Sequence, residues 1–235
     1  MEKLHFQTWA ELRGYLDDYA VAKRERRNRW WFRGHARHAF SLEPTVDRGR
    51  KFASNEERET YVQDLLSEFE RELAVVRQTP AIAGSRLELL ARHHGLPSPF
   101  LDWSRSPFVA AYFAFAGVPE QPDDDDAVAI FMLNLTRLDA SLLAPDDEKV
   151  ELLKDVAFIP DNRRALQQRG VFMRRNDITS PLEDQLGSAL RKIRVPAREA
   201  SIALRSLDQM LLNATSMFYD ADGAAKTAAW RCNLP

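Results

Sequence analysis

The chain has 235 residues, of which 45% are hydrophobic, and its 33 basic and 35 acidic residues give a net charge of −2. This balance excludes the overall basic surplus that is typical of dedicated nucleic-acid-binding proteins. The single cysteine, Cys232, excludes a disulfide framework, and the apolar run 108–118 is too short for a membrane span of about 20 residues. Because the N-terminus lacks a secretory signal pattern, we expect one cytoplasmic domain over residues 1–235, with no membrane partner.

Three segments match the capping-box spacing and are followed by apolar residues at helical intervals. The first predicts an N-terminal helix over residues 8–24, and the second predicts a long amphipathic helix. The third predicts a helix that ends at Gly95, placed to adopt the left-handed conformation. The three pairs are Thr8 with Glu11, Ser54 with Glu57, and Ser85 with Glu88.

The aromatic run 30–32 is typical of a strand. Ser106 followed by Pro107 predicts the start of a helix over residues 108–117, which is apolar nearly all round and therefore central. These elements indicate an α+β fold with a small central sheet of short strands surrounded by helices. Further strands are predicted at 127–133, 156–160, 171–173 and 192–195, and further helices at 146–155, 197–212 and 222–230.

Arg33, at the end of the aromatic strand, is the first candidate site residue. Its guanidinium offers a planar fork of donors that suits a phosphate or a carboxylate. Gly34 beside it would let a ligand or a second strand approach closely. An arginine in a buried ion pair is an equally good interpretation of the same pattern.

Residues 93–104 form the richest polar segment, with imidazoles, a carboxylate, an indole and hydroxyls beside the all-apolar helix. Such crowding indicates the mouth of a pocket. Structural roles stay open for each residue: Asp102 or Ser104 could cap the following helix, and Trp103 could belong to the core. His93 could satisfy carbonyl groups at a helix end.

Gln168 lies in a third polar segment, residues 163–172, where neutral amides precede a glycine and a strand. An amide there could bind a ligand hydroxyl, although an exposed turn explains the pattern as well. No set of residues has the usual spacing of metal ligands, and neither a Gly-rich phosphate loop nor a nucleophile elbow occurs. We therefore expect no metal.

In this order, the three segments resemble the FRG domain family, which is named for a Phe-Arg-Gly motif, here Phe32-Arg33-Gly34. Residues 89–98 are similar to the family's Gln-His-Tyr-Gly-Leu-Pro-Thr stretch, with Arg92 where the family favours Gln. The resemblance covers about residues 28–228. The other matches are 100–104 with the helix after it (Leu-Leu-Asp-Trp-Thr), 168–172 (Gln-x-Gly-x-Phe) and 218–223 (a degraded Phe-Pro-Asp-Leu-Asp-Gly).

The resemblance implies a bacterial protein of toxin or phage-defence systems, with a motif order similar to that of ADP-ribosyltransferases. It therefore implies an ADP-ribosyltransferase-like fold, NAD as the substrate, an unknown macromolecular acceptor, and an antitoxin or defence partner. Gln168 stands where those enzymes commonly carry Glu, so either Asp102 supplies the missing charge, or the enzyme is slow, or the site only binds. The implied catalytic residues are Arg33, Asp102 and Gln168, and the implied NAD-binding residues are Arg33, Gly34, His93, Trp103, Ser104 and Phe113.

The alternative is a non-catalytic module that binds a nucleotide or a nucleic acid. The basic run 23–29 beside Trp30 and Trp31 suits single-stranded nucleic acid. The same run is also typical of a solvated helix end, where cations are favoured. The catalytic interpretation requires Arg33, Asp102 and Gln168 to converge in one pocket.

Overall fold

The computed structural model of the protein describes residues 1–22, 29–76, 84–144, 148–154 and 163–233. Within these residues, seven strands form one mixed sheet, larger than the small sheet predicted. The strands are β1 (Glu2–His5), β2 (Trp30–His35), β3 (Phe100–Ser104), β4 (Ala127–Asn134), β5 (Val150–Leu153), β6 (Gly170–Arg175) and β7 (Leu190–Pro196). Their order is β1-β7-β4-β2-β3-β6-β5, and every pair except the parallel β1–β7 is antiparallel.

Helices surround this sheet, so the α+β class is confirmed. Among the described residues, no helix combines the length and apolar character needed to cross a membrane. The helices are α1 (Trp9–Ala20), α2 (Asn55–Val76), α3 (Ser85–His93), α4 (Pro107–Phe115), α5 (Arg163–Gln167), α6 (Leu182–Leu186), α7 (Ala200–Gln209), α8 (Ala214–Phe218) and α9 (Ala221–Cys232).

Two of the three predicted capping boxes have a side-chain cap at the start of their helix. The side chains of Thr8 and Ser54 each accept a hydrogen bond from a first-turn backbone amide, at 3.3 and 3.1 Å. The third capping prediction is wrong, because α3 begins at Ser85 itself and Gly84 occupies the N-cap position without a side-chain hydrogen bond. The end of α3 is as predicted, with Gly95 in the left-handed region at φ 92°.

Two elements differ from the sequence-based expectation. The predicted helix over 146–155 is wrong, because Val150–Leu153 forms the edge strand β5, paired with β6. The N-terminal strand Glu2–His5 is not signalled by the sequence and is held by pairing with β7. Sheet pairing between distant segments overrides local propensity at both places. The predicted strand 156–160 and most of the basic run 23–29 lie outside the described residues.

The all-apolar helix α4 lies at the centre of the molecule, as predicted. It starts at the Ser106 cap, and eight of its nine residues are buried. On one face of the sheet it packs with α1 and α7 over β2, β4 and β7. A second core cluster, containing Trp31, Trp103 and Phe131, covers the other face. The central strands are therefore buried on both sides, and their polar residues must find specific partners.

Gly34 sets the distance between α4 and the sheet. A Cβ atom at this position would lie 1.9 Å from the carbonyl oxygen of Ala110 and 2.6 Å from the amide nitrogen of Ala114. Only glycine permits this approach of helix backbone to strand backbone. The close neighbour of Gly34 is thus the helix α4.

We expect Gly34→Ala to lower the free energy of unfolding by about 3 kcal/mol, the upper end of the usual overpacking range. The same change at Gly14, exposed in α1 with no atom within 4 Å of an added Cβ, is the matched control. Gly14→Ala should raise stability by about 0.5–1 kcal/mol through helix propensity. Urea unfolding of both variants checks the opposite signs, and equal effects would contradict this account of the motif glycine.

Candidate functional site

The site begins where two central strands separate. β2 and β3 pair at a single position, Phe32 opposite Ser104. A continued antiparallel ladder would place Gly34 opposite Asp102. Instead, the rest of β2 follows β4 and the rest of β3 follows β6, so a crevice opens between the two strands.

Arg33 spans this crevice. Its Nη1 donates to the backbone carbonyl oxygen of Asp102 at 2.6 Å, beyond the one paired position of the two strands. Its Nε donates to Nε2 of His35 at 2.9 Å. The guanidinium therefore takes the place of ladder hydrogen bonds and gives a β3 carbonyl a partner.

Burial shapes the charge states around Arg33. It lowers the pKa of the Arg33 guanidinium to about 10, an effect that the Asp102 carboxylate partly offsets, so Arg33 stays charged at neutral pH. Burial, followed by the charge of Arg33, lowers the pKa of His35 to about 3. His35 is consequently neutral, with Nε2 accepting from Arg33 and the ring proton on Nδ1. It orients Arg33 without adding charge.

The Asp102 carboxylate forms a two-pronged ion pair with Arg92. Nε of Arg92 donates to Oδ1 at 2.8 Å, and Nη2 donates to Oδ2. The Arg92 side chain is 14% exposed and that of Asp102 is 52% exposed. Burial alone would raise the pKa of Asp102, but Arg92 first, then Arg33 and Arg164, hold it below its usual range. The carboxylate is charged at neutral pH, and both of its oxygens are engaged.

Ser104 and Gln168 connect the second and third motifs. The Ser104 hydroxyl donates to the Gln168 carbonyl oxygen at 2.7 Å and accepts from the Ser106 amide at 2.9 Å. Nε2 of Gln168 donates to the carbonyl oxygen of Met217 in α8, at 2.9 Å. Oε1 of Gln168 accepts no hydrogen bond within the described part of the chain. The Ser104 hydroxyl thus fixes the Gln168 backbone, and α8 fixes the Gln168 side chain.

Two adjoining cavities of about 220 Å³ each fill the crevice. The first is lined by Arg33, Asp102 and Gln168, so the three predicted catalytic residues converge. Among the described residues, the charges around the two cavities are unbalanced, because three arginines face one carboxylate. Four residues line both cavities: Asp102, Trp103, Arg164 and Gln168. The first cavity is also lined by Arg33, Gly34, Ser104 and Phe113, among others. The second is also lined by Thr45, Arg92 and His93, among others.

The predicted NAD-binding residues differ in how they are placed relative to the two cavities. Phe113 borders the first cavity and His93 the second, where burial lowers the pKa of His93. The Trp103 residue borders both cavities, but its side chain is only 2% exposed and packs in the core cluster with Trp31 and Phe131. Its Nε1 has no hydrogen-bond partner among the described residues. Trp103 therefore acts mainly as a core residue.

Arg92 and Arg164 are site residues that the sequence did not single out. Arg92 stands in the last turn of α3, and its ten-residue separation from Asp102 carries no recognisable signal. Arg164 lies near the start of α5, where its guanidinium carbon is 4.6 Å from the Phe218 ring centroid. The pair of arginines shortly before Gln168 is the sequence signal that could have identified Arg164. Within the described residues, no group of three or more His, Cys, Asp or Glu could hold a metal ion.

Comparison with known families adds to this geometry. Residues 28–124 match the family model of the FRG domain. This part of the chain is similar to an FRG domain. The FRG segment contributes Arg33, Arg92 and Asp102, whereas Arg164 and Gln168 come from elements that follow it. No curated protein and no solved structure matches the chain.

We expect Arg92→Met to raise the pKa of Asp102, because burial then acts with less opposing positive charge. In the wild type the depressed pKa makes Asp102 stabilising at neutral pH, and this contribution is lost as the pH falls below about 4 and through the folded-state pKa. Stability of the variant should therefore depend less on pH in that acidic window.

Carboxyl NMR titration and urea unfolding at several pH values check both statements. Arg71→Met, which removes an exposed partner of Glu68, is the control and should leave Asp102 unchanged. An unchanged Asp102 pKa in Arg92→Met would show that the ion pair does not govern this carboxylate.

Proposed function

We propose that the crevice beside the FRG motif binds NAD, cleaves the nicotinamide–ribose bond and transfers ADP-ribose to an acceptor. The observation that carries the proposal is the convergence of Arg33, Asp102 and Gln168 on one crevice. Such an activity suits a bacterial toxin or phage-defence effector with a macromolecular acceptor, kept in check by an antitoxin or another defence partner.

The unbalanced charge of the crevice favours a phosphate-bearing ligand. Arg33, Arg92 and Arg164 line the two cavities, and within the described part of the chain Asp102 is the single anion of their walls. Guanidinium groups bind phosphate oxygens with two parallel hydrogen bonds, and a pyrophosphate carries two negative charges. NAD would therefore relieve the mutual repulsion of the arginines.

The proposed reaction breaks the bond between ribose C1′ and the nicotinamide nitrogen, and the electron pair leaves with nicotinamide. The acceptor's nucleophile then forms a bond to C1′ and releases its proton. The transition state resembles an oxocarbenium ion, as in glycoside cleavage, and a nearby negative charge stabilises it. We assign that charge to Asp102, and we assign the hydrogen bond from the ribose 2′-hydroxyl to Oε1 of Gln168.

The Arg92–Asp102 ion pair constrains this mechanism. While both carboxylate oxygens accept hydrogen bonds from Arg92, little of their charge is available to a sugar. We infer that Arg92 turns to the pyrophosphate when NAD binds, which frees Asp102. If Arg92 stays in place, the second candidate applies: a non-catalytic module that binds a nucleotide or nucleic acid through its phosphates.

We expect NAD to bind the wild-type protein and to bind Arg33→Ala at least about tenfold more weakly, since a charged hydrogen bond contributes about 1.5–3 kcal/mol. Arg33→Lys should recover only part of the affinity, because an ammonium lacks the planar fork. Isothermal calorimetry measures both. Arg205→Ala, on the exposed face of α7, is the matched control and should bind like the wild type.

Failure of the wild type to bind millimolar NAD would overturn the NAD proposal. The remaining candidate would then be tested with single-stranded nucleic acid, whose binding should weaken steeply as salt is added.

We expect Asp102→Asn to slow nicotinamide release about 10²–10³-fold, the usual effect of removing one electrostatic partner of a transition state. NAD affinity should not fall and should rise, because Arg92 no longer has to leave a carboxylate to reach the pyrophosphate. Single-turnover release of nicotinamide, followed by chromatography, makes this measurement. NAD binding without release by either protein would establish the non-catalytic module instead.

A further inference from the structure

A third cavity, of about 400 Å³, lies between α4 and the C-terminal helices α7, α8 and α9. It is separate from the candidate site, with which it shares one lining residue, Phe113. Its volume falls within the range of small-molecule sites in proteins. The lining residues on which the argument depends are Tyr112, Phe113, Phe218, Lys226 and Trp230.

Four aromatic side chains dominate the walls. Phe113 and Phe218 meet edge to face, with ring centroids 6.2 Å apart, and Tyr112 meets Phe113 at 5.4 Å. Trp230, near the end of α9, completes the set. Aromatic walls favour flat, apolar ring systems, because stacked and edge-to-face contacts add to the gain from burial.

The charge that is free in this cavity is positive. Lys226 has its Nζ 5.0 Å from the Phe218 ring centroid and has no carboxylate partner among the described residues. Asp208, the carboxylate on the wall, is already engaged by Arg231 at 2.7 Å and by Asn213 at 2.8 Å. An anionic ligand group would therefore meet an unpaired ammonium and not a bare carboxylate.

Tyr112 supplies an uncommitted hydroxyl. The residue is 6% exposed, yet its hydroxyl makes no hydrogen bond within the described part of the chain. Burial raises the pKa of Tyr112 to about 12, so the group stays a neutral donor. Because Tyr112 lines the cavity and its hydroxyl has no protein partner among the described residues, the hydroxyl is available to an acceptor on a ligand.

We propose that this cavity is a second binding site, for a planar aromatic molecule that carries one anionic group such as a carboxylate. The ring packs against the aromatic walls, the anion pairs with Lys226, and the Tyr112 hydroxyl donates to an oxygen of the ligand. The proposal does not depend on NAD binding in the crevice. It does place the ligand against α8, whose Met217 carbonyl holds Gln168.

The test uses the full chain and two isosteric probes, 2-naphthoate and 2-naphthamide, in calorimetric titrations. We expect naphthoate to bind at least about tenfold more tightly than naphthamide, because a charge-assisted hydrogen bond is roughly twice as strong as a neutral one. Lys226→Gln should reduce naphthoate to the affinity of naphthamide. Tyr112→Phe should weaken both probes, since the amide and the carboxylate both offer an acceptor.

Two controls keep the proposal falsifiable. Lys51→Gln removes an exposed lysine far from the cavity walls and should leave both affinities unchanged. Arg33→Ala should also leave naphthoate binding unchanged, and a loss there would place the probe in the crevice and overturn the second site. No binding of naphthoate, or equal binding by the wild type and Lys226→Gln, would overturn it too, whatever the outcome with NAD.

Discussion

The separation of β2 from β3 after one paired position is the constraint on which the site depends. Each strand keeps its other neighbour, so the sheet stays continuous while a crevice opens inside it. Lost ladder hydrogen bonds leave backbone groups that need partners away from water. Arg33 provides one by reaching the Asp102 carbonyl, and the desolvation it undergoes is visible in its lowered pKa. The Phe-Arg-Gly motif can be understood as a unit: Phe32 enters the core, Arg33 spans the gap and Gly34 admits α4.

Electrostatics then decides what the crevice can hold. Asp102 offsets the charge of three arginines, because it is the one anion among the described residues that line the two cavities. Each arginine raises the free energy of the others, and a low-dielectric surrounding enlarges that repulsion. An anion in the crevice would relieve this repulsion, so the proposed phosphate binding would also stabilise the site. The neutral state of His35 fits this arrangement, since a further cation beside Arg33 would add to the repulsion.

Sequence signals such as helix caps predicted the elements that are stabilised by residues close together in the chain. Ser106, Pro107 and an uninterrupted apolar run identify α4 because cap, first-turn residue and burial all agree. The edge strand β5 could not be found in this way, since its conformation is fixed by pairing with β6. The candidate site shows the same division. Its three motifs could be located along the chain, but the Arg92–Asp102 ion pair depends on the relative placement of α3 and β3, which no spacing reveals.

The face of the sheet that Trp103 occupies could have been predicted from the alternation of side chains along its strand. Residues 100–104 form a strand, and neighbouring side chains of a strand point to opposite faces. Asp102 and Trp103 therefore cannot both face the same side of the sheet. Period-two alternation alone would have assigned the indole to the core once the carboxylate was assigned to the crevice.

In the proposed mechanism, the ion pair between Arg92 and Asp102 would link substrate binding to chemistry. As long as Arg92 holds both carboxylate oxygens, the site would offer little negative charge to a reacting sugar. The pyrophosphate of the proposed substrate would compete for the same guanidinium, and its binding energy would release Asp102 when the sugar is in place. Binding energy from a remote part of the substrate is then spent at the reacting centre, which is how enzymes raise turnover and not only affinity. In the proposed arrangement, a carboxylate that is neutralised at rest would become available only to a ligand with the right phosphates.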